Sequence, residues 1–305
     1  MDYDFLLMRP MSGAGRTVLC DWGTSRLRAY LQIEDEIVAR CEGPGIGALT
    51  TPAVVALQEA LQPWHKGFDQ IVACGMIGSR NGIVEVPYVQ APVGVSEWAA
   101  RAFRHESVKA PLRIAAGVRG PNFSGTTDVM RGEETQIFGA IALNEQLTSG
   151  RHTLLLPGTH SKWVQVTEGE IETVQTYITG EFFALLRDYS SLLRAGDSGE
   201  QPDNGFAAGL TRSRQSNLAA SLFETRSMQL TQGRSRAWAS EFLSGLLIGD
   251  EVTAALKACT PTSVVLVAES RLSMRYLDAL SLHGMAATCL DADQCVIAGL
   301  RLLLT

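Results

Sequence analysis

Apolar and polar positions change rhythm several times along the chain, and each change predicts an element. Thr17 to Asp21 is a short apolar run and Trp22-Gly23-Thr24-Ser25 a turn. Arg26 to Ile33 then carries apolar side chains at 27, 29, 31 and 33. Period two marks a strand with one buried face, so this region reads as strand, turn, strand. Glu34-Asp35-Glu36 leads into a third strand at Ile37-Val38. Thr51-Pro52 opens a helix to about Gln62, with Pro where a missing N–H costs nothing. Strands follow at Ile71–Cys74 and Ile83–Val89, around a glycine loop. A helix is expected from Ser96 to about His105, a strand at Leu112–Ala116, a loop rich in Gly, Pro and Thr, and a helix from Gly132 to Leu147.

The second half begins as the first did. Thr153–Leu156 is apolar, Pro157-Gly158-Thr159-His160-Ser161 turns, Lys162–Val166 is a strand, and Glu168-Gly169-Glu170 leads to another at Ile171. The two Gly-Thr turns stand 135 residues apart. A repeated hairpin at that spacing predicts two related domains facing each other, over 1–150 and 151–305. Beyond it the pattern is helical: Gly180–Leu193, a polar excursion at Arg194–Asn204, and two or three helices between Phe206 and Lys257. Leu243, Leu246 and Leu247 fall at core spacing. Val264–Ala268 is a buried-type strand, Ser270–Leu282 a helix, Ala287–Leu290 a last strand and Gln294–Leu304 a last helix. Strands interleaved with helices define an α/β protein.

Composition narrows the field. With 305 residues, 46% hydrophobic and 19% charged, the chain is an ordinary globular protein, and a net charge of −6 argues against broad phosphate neutralisation on nucleic acid. No apolar run reaches the 18 residues of a membrane span. The start, MDYDFLLMRP, carries two acids where a signal peptide has basic charge, and residues 1–16 read as a frayed leader. Six cysteines without a CxxC pair, most in apolar surroundings, read as reduced thiols of a cytoplasmic protein. His65, His105, His152 and His283 are too scattered for a metal site.

The candidate chemistry sits in the turns. Gly23, Thr24 and Ser25 offer backbone N–H groups and hydroxyls to phosphate oxygens, and Asp21 at the preceding strand end suits Mg²⁺ held through water. Gly158, Thr159, His160 and Ser161 repeat the arrangement, with Lys162 as a point charge. The first turn is not a P-loop, since no helix or Lys-Ser/Thr follows its glycines. Two such turns in matching halves are what a nucleotide clamped between lobes requires.

Five stretches sharpen this: CDWGTSRLRAYL, ACGMIGSRNGIVEVPYV, DVMRGEETQIFGA, LPGTHSKWV, and TYITGEFFALL with EFLSGLLIGDE. The first resembles the phosphate motif of the sugar kinase, heat-shock-70 and actin superfamily. Together they resemble the 2-dehydro-3-deoxygalactonokinase family over nearly the whole chain. The resemblance implies two ribonuclease-H-like lobes of the actin-like ATPase kind with ATP and Mg²⁺ in the cleft, and the last helix packing back on the first lobe. It implies transfer of phosphate to the 6-hydroxyl of 2-dehydro-3-deoxy-D-galactonate in galactonate breakdown. The gluco epimer stays open, and a homodimer is the default expectation.

Site residues follow from the same motifs. Asp128 is the first candidate for catalytic base and Glu134 the second. Arg131 is placed to hold the substrate carboxylate or to neutralise the γ-phosphate, and Arg26 joins the first phosphate turn. Gly78, Ser79, Arg80 and Asn81 form a sugar-acid loop, with Arg80 a natural fork for a carboxylate. Gly180 and Glu181 close the pocket from the second lobe. The superfamily's adenosine motif has glycines after its apolar strand. Here Ala268-Glu269 stands there, with Ala268 small enough to lie beside a purine. Two rival readings are an ATP-switched binding module and a sugar-acid sensor that has lost catalysis.

Overall fold

The computed structural model describes residues 15–64, 67–106, 110–194, 204–215 and 217–304. The expected leader up to residue 14, His65, and the polar excursion at 195–203 lie outside the described residues. The first half runs β1 (Arg16–Trp22), β2 (Arg26–Ile33), β3 (Glu36–Pro44), α1 (Ala53–Ala60), β4 (Gln70–Gly75), β5 (Val89–Gln90) and α2 (Val95–Ala100). It continues with β6 (Phe103–His105), β7 (Leu112–Ile114), β8 (Val118–Pro121), β9 (Thr127–Met130) and α3 (Glu133–Leu143). The second half has β10 (Arg151–Leu156), β11 (Ser161–Thr167), β12 (Glu170–Tyr177), α4 (Thr179–Tyr189), α5 (Gly205–Ser213), α6 (Leu218–Leu222) and α7 (Glu224–Gln232). It ends with α8 (Arg236–Cys259), β13 (Val264–Ala268), α9 (Ser270–Ser281), β14 (Ala287–Asp291) and α10 (Ala292–Arg301).

The strand order is β3-β2-β1-β4-β7-β6 in one sheet and β12-β11-β10-β13-β14 in the other. In each, a central strand pairs antiparallel with its hairpin partner and parallel with the strand on its other side. Five positions of the two sheets therefore match in order and direction, and the repeated hairpin of the sequence is the start of each. A small third sheet, β5-β8-β9, lies against β12.

Helices α3 and α10 pack closely together. Two glycines allow it: a Cβ on Gly139 would stand 1.8 Å from the Cys295 carbonyl oxygen, and one on Gly299 1.9 Å from that of Thr135. One apolar core takes in Val18 and Ile71 of the first sheet, Leu154, Val164 and Val265 of the second, and Val296 and Leu300 of α10. Leu243, Leu246 and Leu247 of α8 are buried in a separate cluster.

Several predicted elements change. The expected strand Ile83–Val89 shrinks to β5, because Ile83 and Val86 donate to the carbonyls of Ile77 and Gly78 in the glycine loop instead of to a strand neighbour. The helix expected to reach His105 ends at Ala100, and Phe103–His105 pairs with β7. The helices expected to end at Leu147 and Leu193 stop at Leu143 and Tyr189. The Gly/Pro/Thr loop holds β8 and β9, and the stretch expected to carry two or three helices carries α5 to α8.

Candidate active site

The strand ends β1, β4 and β10 converge on a cavity of about 350 Å³ between the sheets. Crevices beyond the carboxyl ends of parallel strands are where α/β sheets place ligands. Its walls include Asp21, Gly23, Thr24, Ser25 and Arg26 from the first hairpin, and Gly158, Thr159, His160 and Lys162 from the second. Further lining comes from Arg131, Arg28, Glu133 and Gln136, from Gly75 and Met76 at the start of the glycine loop, and from Tyr88.

Each hairpin turn is braced from behind. The carbonyls of Gly23, Thr24 and Ser25 accept from the N–H groups of Ile46, Gly47 and Gly45 at 3.1, 3.0 and 3.3 Å. These bonds tie the turn to the segment that follows β3. Gly180 lies so close to the second turn that a Cβ there would meet the Gly158 oxygen at 2.3 Å, and the Glu181 carboxylate is 2.6 Å from His160 Nε2. Asp21 Oδ2 accepts from Arg28 Nη2 at 2.7 Å.

The acids after β9 part company. Asp128 accepts three hydrogen bonds: from Thr176 N at 2.7 Å, Thr176 Oγ1 at 2.8 Å and Val129 N at 2.7 Å. Its carboxylate is committed to β12, and Asp128 does not line the cavity. Glu134 is fully buried, accepts from Gly132 N at 2.7 Å, and also stands off the lining. Burial, then the neighbouring Glu133 charge, push its carboxyl up to about 8. Glu133 does face the cavity. Desolvation raises its pKa, the Lys162 ammonium opposes that, and Asp21 adds to it.

Arg131 is held by its Nη2 donating to the Val86 carbonyl at 2.8 Å and by the Tyr88 ring, 4.2 Å from its Cζ. Its Nε and Nη1 are buried without a hydrogen-bond acceptor. Gly78 leaves room for it, since a Cβ there would sit 3.1 Å from Nη1.

Other expected residues stand apart from the cavity. Arg80 is 84% exposed beside Glu85, and Ser79 turns its hydroxyl onto the Met76 carbonyl. Ser79, Arg80 and Asn81 are thus not in the lining. Ser161 is fully buried and bonded to Tyr276 Oη at 2.9 Å, within a network that includes Glu251 and Trp163. Ala268 is buried within β13. Its neighbour Glu269 instead borders a second cavity, of about 420 Å³, with Gly158, Gly180, Phe183, Ile248, Leu272, Arg275 and Tyr276. The two cavities share Gly158.

Among the described residues, no group of three His, Cys, Asp or Glu side chains forms a ready metal cage, and no helix is long and apolar enough to cross a membrane. All six cysteines are free. Cys20, Cys74 and Cys295 are buried, and Cys289 is exposed.

A six-strand and a five-strand sheet that match over five strands, two hairpin turns facing one cleft and a helix pair between them define the two-lobed, actin-like ATPase class of sugar kinases. A sequence profile described as 2-keto-3-deoxy-galactonokinase matches residues 21–303, and the chain belongs to that family. It is a sugar-acid kinase. "Probable 2-dehydro-3-deoxygalactonokinase DgoK1" of Rhizobium meliloti (strain 1021) is 34% identical over 95% of this chain and 97% of its own length. The 2-dehydro-3-deoxygalactonokinase of Escherichia coli (strain K12) is 33% identical over 94% and 96%. A Sinorhizobium meliloti crystal structure assigned to the same activity superposes with a TM-score of 0.82, at 32% identity, covering 93% of this chain and 97% of that one. Component A of Acidaminococcus fermentans (R)-2-hydroxyglutaryl-CoA dehydratase shares the fold alone, at 13% identity over 94% of this chain and 96% of its own, with a TM-score of 0.51.

Proposed function

We propose that the chain transfers the γ-phosphoryl group of Mg-ATP to the 6-hydroxyl of 2-dehydro-3-deoxy-D-galactonate, releasing ADP, as a cytoplasmic step of galactonate breakdown. The observation that carries this reading is the pair of cavities joined at Gly158. One has the mixed apolar and polar lining that suits a base and ribose. The other has the hydroxyls and cations of two phosphate turns.

The residues fit Mg-ATP. Asp21 and Glu133 face the same sheltered space, and Asp21 adds to the upward shift of Glu133. A divalent cation would be held on the Asp21 side through water, since Mg²⁺ favours one or two carboxylates plus water, which leaves Glu133 free of the metal. When bound, Mg-ATP supplies the transferable phosphoryl group and neutralises charge on its oxygens. Gly23, Thr24 and Ser25 would hold one side of the phosphate tail, and Gly158, Thr159, His160 and Lys162 the other. Glu181 orients the His160 ring.

The orphan N–H groups of Arg131 point to the substrate carboxylate as their partner, with Tyr88 stacking against the guanidinium. Glu133, and neither Asp128 nor Glu134, accepts the proton of the attacking hydroxyl. Asp128 is engaged by three donors and stands off the cavity lining, and Glu134 has no exposed surface. A carboxylate raised by burial is the stronger base. Closure of the lobes excludes water, the competing acceptor.

The test is the identity of the product. NMR of the reaction of Mg-ATP with 2-dehydro-3-deoxy-D-galactonate should show phosphorus coupling at C6. The gluco epimer, run beside it, should turn over more slowly. Phosphate on another carbon, or equal turnover of the epimers, would overturn the regiochemistry or the substrate choice respectively.

A further inference from the structure

Arg28 takes no part in the scheme above, yet it makes the most connected set of ion pairs around the cleft. On the β1–β2 ladder it stands directly opposite Asp21. Its Nη2 bonds Asp21 Oδ2 at 2.7 Å. Its Nη1 reaches away from β2 to Asp293 Oδ1 at 2.7 Å and Glu269 Oε1 at 3.3 Å. Glu269 joins β13 to α9, and Asp293 lies in the first turn of α10, just after β14. One guanidinium therefore touches the carboxylate at the end of the first sheet's central strand and two acids at the strand ends of the second sheet.

The setting favours a working connection over a decorative one. The side chains of Arg28 and Asp21 are only 16% and 13% exposed, so solvent screens this pair weakly. Arg26 adds a 2.7 Å bond to Glu269, but both partners are half exposed and such pairs contribute little. Arg28 is the strong member because it is the more sheltered and its rigid planar fork fixes the two directions it serves. Glu269 also borders the cavity assigned above to the nucleotide base, so the same cluster touches both cavities.

We propose that Arg28 is a positioning residue that fixes the Asp21 carboxylate and ties it to the second lobe through Asp293 and Glu269, so that the phosphate site is complete only when the lobes are closed. This rests on the kinase reading of the same cleft. Holding Oδ2 of Asp21 restricts where the other oxygen aims, and releasing the tie lets the lobes part and water enter.

Two variants separate this from a purely structural role. Asp293→Asn keeps the Asp21–Arg28 pair and removes one anion on the second-lobe side at nearly constant shape. Arg28→Lys keeps the charge and removes the fork. The experiment measures, for each, ADP and phosphorylated sugar acid side by side, the KM for sugar acid, the melting temperature, and the radius of gyration by small-angle scattering.

The expected result is a kcat for sugar phosphorylation lower by roughly tenfold, an unchanged KM for sugar acid, ADP in excess of phosphorylated product, and a larger radius of gyration than wild type. Variants with wild-type kcat and one ADP per phosphorylated sugar would overturn the proposal. So would a lowered melting temperature with stoichiometry and radius unchanged. Wild type without sugar-acid-dependent ADP release would sink the kinase reading. The scattering comparison of Asp293→Asn with wild type would still decide whether Arg28 ties the lobes.

Discussion

Asp128 receives both the backbone N–H and the hydroxyl of Thr176, at 2.7 and 2.8 Å, and so joins β9 to β12. Lys162 Nζ donates to the same Thr176 hydroxyl at 2.7 Å and to the Val129 carbonyl at 3.1 Å. The acid that the sequence offers first as a base is hydrogen-bonded between the small sheet and the second lobe.

Asp128→Asn keeps one acceptor oxygen and loses the charge. It should lower the melting temperature, costing about 1–3 kcal/mol of stability, while kcat falls by no more than about tenfold. Thermal denaturation and steady-state rates on one preparation check both. A kcat loss of a thousandfold with normal stability would return Asp128 to the chemistry.

Arg131 has two buried N–H groups without acceptors beside the cleft. Arg131→Ala should reduce kcat/KM for the sugar acid by on the order of 10- to 100-fold, mostly through KM, and leave the KM for ATP nearly unchanged. Arg131→Lys should recover only part of the loss, because an ammonium cannot offer a bidentate fork. A change confined to the KM for ATP would assign Arg131 to the γ-phosphate instead.

Glu134 gives a pH dependence with a definite sign. Its folded pKa, about 8, lies above the ordinary carboxylate value of 4.5. The folded state thus binds the proton more tightly than the unfolded one. The stability from this group is complete below about 4.5 and is lost as pH rises through about 8. Melting temperature should therefore fall between about pH 4.5 and 8 in wild type, with no further loss from this group above that, and fall less in Glu134→Gln. Parallel melting profiles for the two proteins would contradict this.

Gly139 sits where α3 meets α10, with 1.8 Å between its would-be Cβ and the Cys295 oxygen. Backbone atoms cannot yield as a flexible side chain does. Gly139→Ala should cost about 3 kcal/mol or more and lower the melting temperature. Gly158→Ala has open space around the new Cβ and should fold normally. Differential scanning calorimetry compares them directly.

Much of the fold was legible because its signal is local. The period-two stretch of β2 and the paired Gly-Thr turns declared two similar hairpins, and those start two sheets of matching order. Phe103–His105 was misread because its pairing with β7 is tertiary and leaves no helical or strand period in three residues. β8 and β9 hide in a loop-like composition because their partners are one another and β5.

In the site, residues on the turns could be read from backbone chemistry alone. Ser161 could not, because strand alternation turns it inward to Tyr276 while Lys162 faces the cleft. The same holds at Gly132-Glu133-Glu134, where two adjacent acids are alike in sequence. Only the rotation of α3 decides that Glu133 lines the cavity and Glu134 is buried.

The most direct test of the central claim is sugar-acid-dependent ADP release from Mg-ATP by wild type and Glu133→Gln. Wild type should release ADP only with 2-dehydro-3-deoxy-D-galactonate present. Glu133→Gln should lose roughly 10²- to 10⁴-fold in kcat while keeping the fold and the binding of both substrates. ADP release that ignores the sugar acid, or a Glu133→Gln enzyme that turns over at the wild-type rate, would contradict the account.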